Sequence, residues 1–178
     1  MRTIIRSGVI MTLLAGGLFG RVPAASAHVV LELQQATAGT YFKAVFVVPH
    51  GCDEAATTAL AVELPPGIVI ARPMPKPGWT LDIQKEALTR PLLNEGHEIT
   101  RRVSQVTWQG GKLPADEYDT FTMMLRLPET PGRLYFPVRQ VCEQGETRWD
   151  QVPPAGKNSR DVRYPAPSLL LIPAETPQ

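Results

Sequence analysis

The chain has only two cysteines and three histidines among its 178 residues. No Cys-x-x-Cys spacing is present, so the thiols give little support to a sulfur-based metal site. An excess of one charge is missing too. Eighteen Lys and Arg face 17 Asp and Glu, a net +1, which excludes the strongly basic footprint of a nucleic-acid binder. Long helical patterns are also absent. The 18 prolines are about twice the average share, and each interior proline removes a helix hydrogen bond. The chain shows no internal repeat and no low-complexity segment. With 43% hydrophobic and 20% charged residues, it can fill a core and is not globally disordered. Its length suits one domain, two at most.

Residues 1–27 have the three-part form of a secretory signal peptide. Arg2 and Arg6 make a basic start, Ser7 to Gly20 is uncharged and mostly apolar, and Ala25-Ser-Ala27 supplies the small-x-small end. The apolar run is shorter than the ~20 residues of a membrane-spanning helix, and no later run is long enough. Cleavage after Ala27 is expected, leaving a periplasmic or otherwise exported chain in an oxidising space. It would make His28 the first residue.

The rest reads as short alternating segments between turn residues. Thr40 to Val48, Thr57 to Leu64, Trp79 to Ile83, Val103 to Trp108, Asp119 to Leu127 and Arg133 to Cys142 all read as strands. This spacing predicts an all-β fold, an antiparallel β-sandwich. Asp82 to Glu98 is polar and interrupted by Pro91 and Gly96, which predicts a loop or irregular insertion. Residues 155–178 read as a proline-rich tail, in which Ser168 to Ile172 can add an edge strand or pack on the sandwich.

In an exported chain, Cys52 and Cys142 form an isolated pair, most simply a disulfide. Closing a loop of about 90 residues contributes roughly 4–5 kcal/mol in the chain-entropy treatment. The alternative is a thiolate pair for Cu(I) or Zn.

A histidine at the start of a chain offers two nitrogens in chelating reach, its α-amine and imidazole Nδ1. Such groups titrate near neutrality, so a metal can displace their protons. Nitrogen chelation completed by oxygen donors suits Cu(II) by geometry and by the Irving–Williams order. Asp116, Glu117 and Asp119 precede a strand; they are an acidic turn or the source of one carboxylate ligand. His50 and His97 read as loop residues. Met123 and Met124 must point to opposite sheet faces. Trp79 and Trp108 read as core, and Trp149 divides between core and site.

Together, His28-Val-Val-Leu31, Ala55-Ala-Thr-Thr58, Pro73-Met-Pro-Lys-Pro-Gly-Trp79, Val106-Thr-Trp108, Gly110-Gly-Lys-Leu-Pro114, Glu117-Tyr-Asp-Thr-Phe121 and the late Trp149 resemble the YcnI-like family of exported bacterial copper-binding domains. The resemblance covers roughly residues 28–154. It implies a β-sandwich of immunoglobulin or fibronectin type III kind that holds one Cu(II) in a mono-histidine brace, with His28 and an acidic ligand matched by Glu117. It implies Trp149 as the neighbouring tryptophan. The chain departs from the simplest members in its cysteine pair and in an insertion around 85–101. The expected role is a copper chaperone or carrier, with copper and other envelope copper-handling proteins as partners and no nucleic acid. No enzyme activity is expected: an oxidative enzyme would need a second histidine, for which only His50 and His97 are available. A metal-free interaction or adhesion sandwich is the reading that the fold alone allows.

Overall fold

The structure is a computed structural model and describes residues 28–94 and 96–174. The expected signal peptide, residues 1–27, lies outside the described residues. Among the described residues, twelve strands form in chain order. They are β1 (Val30–Leu31), β2 (Gln35–Thr37), β3 (Tyr41–Val48), β4 (Thr57–Glu63), β5 (Ala71–Pro73), β6 (Thr80–Asn94), β7 (His97–Leu113), β8 (Asp119–Arg126), β9 (Gly132–Tyr135), β10 (Val138–Cys142), β11 (Glu146–Trp149) and β12 (Ser168–Ile172). Among the described residues the only helical element is a three-residue 3-10 turn, Ser159–Asp161, and no helix is long and apolar enough to cross a membrane.

Two antiparallel sheets make the sandwich. One has the order β1-β3-β8-β5 and the other β11-β10-β4-β7-β6. The alternation that predicts the strands also fills the core. On β3, Phe42, Ala44, Phe46 and Val48 are buried while Tyr41 and Lys43 are exposed. Leu60 and Val62 of β4 and Val106 and Trp108 of β7 face them from the other sheet. Trp108 is fully buried against Phe121, with ring centroids 5.5 Å apart, and its indole N–H donates to the Met74 carbonyl at 3.1 Å. Trp79 meets the other side of Phe121 at 5.0 Å. Its indole occupies the space a Cβ would need at position 111, so the close approach of β7 to this ring requires Gly111. Met123 is buried and Met124 exposed, the opposite-face arrangement the pleat demands.

Three features differ from the reading of the sequence. Asp82 to Glu98 is not an irregular loop: it continues β6 and β7 into a long antiparallel hairpin. Both faces of this arm are mostly exposed, so no apolar alternation marks it. Pro91 is tolerated because β6 lies at a sheet edge, and the pairing is irregular between Ala87 and Leu92. Arg102 pins the base of the arm through an ion pair to Glu86 at 2.7 Å and a hydrogen bond to the Leu64 carbonyl at 3.0 Å. The second difference is a third, small sheet of order β2-β12-β9. The third is that β12 pairs with β2 in parallel, against an otherwise antiparallel pattern. Strand β12 brings Leu169 and Leu171 into the core, so the packed structure continues beyond residue 154.

Cys52 and Cys142 form the expected disulfide, with Cα atoms 6.0 Å apart across 90 positions. It ties the turn after β3 to the end of β10.

Candidate metal centre

Strand β1 is the edge of one sheet and β11 is the edge of the other. The two meet where His28 enters β1. Val29 is buried and anchors this entry, while His28 keeps partial exposure. The His28 imidazole meets the Trp149 indole edge to face, with centroids 5.5 Å apart and planes at 66°. Trp149 is 5% exposed and belongs to the hydrophobic core. It is therefore a core residue that also lies beside His28. On its other side the indole meets Tyr164 at 5.6 Å. A cleft of about 60 Å³ adjoins His28, with Gln34, Ser159 and Pro165 among its walls.

The carboxylates lie beyond β3. Val30 pairs with Val47 across β1 and β3, and Val48 pairs with Asp119 across β3 and β8. These pairings put the start of β1 and the start of β8 on either side of the end of β3. Glu117 precedes Tyr118 in an exposed turn, where its N–H donates to the Pro114 carbonyl at 3.3 Å. Asp119 is already engaged. Its carboxylate pairs with Lys76 at 2.7 Å and caps the N–H of Thr120 at 2.7 Å. Among the described residues neither Asp116 nor Glu117 has an ion pair. No group of three or more His, Cys, Asp or Glu side chains is arranged to hold a metal among the described residues.

The other histidines occupy different places. His97 is exposed and pairs with Asn94 at the tip of the β6–β7 arm. His50 lies in the turn after β3, where its Nδ1 contacts the carbonyl oxygen of Gly51. The backbone carbonyl of His50 accepts a hydrogen bond from Gln140 Nε2 at 2.8 Å.

Gln140 is a residue the sequence reading did not single out. It is 1% exposed, and its Oε1 accepts the Trp149 indole N–H at 2.9 Å. Its Nε2 also donates to Thr57 Oγ1 at 2.8 Å. The signal was the strand phase: on β10, Gln140 shares the inward face with Val138 and Cys142, and a polar residue there must find partners.

Compared with known proteins, residues 28–171 match a family model described as a domain of unknown function (DUF1775). Among solved structures, the chain is similar to an uncharacterized protein from Nocardia farcinica whose crystal structure reveals an immunoglobulin-like fold. The two share 32% sequence identity with a TM-score of 0.61, over 82% of this chain and 99% of that one. No curated protein matches the chain.

Proposed function

The chain belongs to the DUF1775 family, the family of the YcnI-like domains, and on that footing we propose that it is an exported copper-binding protein, a Cu(II) chaperone or carrier whose metal is held by the α-amine and imidazole of His28. The observation that carries this reading is the contact between His28 and Trp149 at 5.5 Å. The residue that cleavage after Ala27 would make N-terminal lies against a buried indole, at the edge where the two sheets meet.

The donor chemistry fits. An indole N–H is only a donor and does not ligate, so Trp149 walls the site rather than filling it. With Trp149 on one side, the imidazole is shielded from part of the solvent. Glu117 is the oxygen donor that the family resemblance matches, and Asp119 is committed to Lys76. The disulfide suits an oxidising compartment.

The test is an equilibrium Cu(II) titration of protein beginning at His28, beside its His28→Ala variant. Tight one-to-one binding that is lost in the variant supports the reading. Equal binding by both would remove His28 from the site.

A further inference from the structure

A primary amide buried in a sandwich core costs free energy unless its polar atoms are paired. Gln140 is 1% exposed, and both ends of its amide are used. The indole N–H of Trp149 can only donate and the carbonyl of His50 can only accept. The amide therefore has one orientation that satisfies both, with Oε1 toward Trp149 and Nε2 toward His50. An aliphatic side chain would fill the same space between Val138 and Cys142 without needing any partner. What the amide adds is a fixed direction for the Trp149 ring.

We propose that Gln140 is a positioning residue for the His28 site, clamping Trp149 so that its ring holds the His28 imidazole in one orientation. The clamp is braced from behind. Thr57 Oγ1, which accepts from Gln140, lies 3.8 Å from Cys142 Sγ. The Cys52 N–H donates to the same sulfur at 3.1 Å. The disulfide thus ties the turn that supplies the His50 carbonyl to the end of β10, the strand that carries Gln140, and its Cys142 sulfur lies against Thr57 at the start of β4. A line of contacts runs from the disulfide through Thr57, Gln140 and Trp149 to His28. The consequence for metal binding rests on the copper reading; the clamp itself does not. Residues that orient a metal ligand from outside the coordination shell typically change affinity by about 10–100-fold.

The experiment uses protein beginning at His28, which retains every residue of the described core. The variants are Gln140→Met, Trp149→Phe and the double variant. The first readout needs no metal: the proton shifts of the His28 imidazole by NMR, which sense the ring current of Trp149. Gln140→Met is expected to move these shifts toward those of a histidine with no ring neighbour. The second readout is Cu(II) affinity, expected to fall roughly 10-fold in Gln140→Met. It should fall no further in the double variant than in Trp149→Phe alone, because Gln140 acts through Trp149. A folded Gln140→Met protein with unchanged His28 shifts overturns the clamp, whatever copper does. Wild-type protein that binds no Cu(II), with the shifts still moved by Gln140→Met, leaves the clamp standing and sinks the copper reading instead. Should Gln140→Met fail to fold, Thr57→Val removes one acceptor of the amide at nearly constant volume and is read the same way: moved His28 shifts support the clamp, unmoved shifts overturn it.

Discussion

His28 and Trp149 meet edge to face across the seam between two sheets, their ring centroids 5.5 Å apart. One residue comes from the start of an edge strand and the other from the end of the facing edge strand. They are 121 positions apart in the chain, so only the sandwich brings them together. Removing the His28 side chain should therefore affect the site far more than the fold. His28→Ala is expected to lose most Cu(II) binding, while its unfolding free energy stays within about 1 kcal/mol of the parent, since a chain start contributes little to a core. Urea denaturation beside the titration checks both halves.

The acidic turn separates two roles. Glu117→Gln should weaken Cu(II) binding and leave stability nearly unchanged, because Glu117 is exposed and has no ion pair among the described residues. Asp119→Asn should do the opposite. It breaks the pair with Lys76, which is partly exposed and so costs only about 0.2–1 kcal/mol, and it should leave copper affinity intact. Parallel thermal melts and copper titrations separate the two; a larger copper defect in Asp119→Asn would reassign the ligand.

Replacing both Cys52 and Cys142 with alanine opens a link across 90 positions. The expected loss is about 2–5 kcal/mol of unfolding free energy, read from chemical denaturation. An unchanged midpoint would mean that the link adds nothing to stability.

Gly111→Ala tests the packing beside the core aromatics. The new methyl group would overlap the Trp79 indole, and overpacking of this kind typically costs about 1–3 kcal/mol. Tryptophan emission should shift as Trp79 leaves its place on Phe121. A neutral substitution would show that the ring yields freely.

Most of the sandwich was legible in the sequence, because the alternation on β3, β8 and β10 is the period-two pattern that burial of one sheet face imposes. The cysteine pair was legible from count and compartment. The β6–β7 arm was hidden, since a hairpin with both faces in water needs no apolar period. The parallel pairing of β12 with β2 was hidden as well, because it joins segments 135 positions apart, Leu170 with Gln35, and nothing local encodes such a register. At the site, His28 was legible from the expected cleavage position. Its contact with Trp149 depends on sheet edges that only the tertiary fold defines. Gln140 left a faint trace as a polar residue in an inward phase, but its partners His50, Thr57 and Trp149 come from three other segments.

The central claim is that the α-amine of His28 is half of a Cu(II) chelate. The most direct measurement is a Cu(II) titration followed by EPR on two proteins, one beginning at His28 and one retaining Ala27 before it. The extra residue converts the amine into a peptide nitrogen, which coordinates poorly near neutral pH, and leaves every core residue in place. The cleaved protein should bind one Cu(II) with a nitrogen-rich signal, weakening as pH falls because protons compete for both donors. The extended protein should lose most of that binding. Equal affinity and the same EPR signal in both would contradict the account.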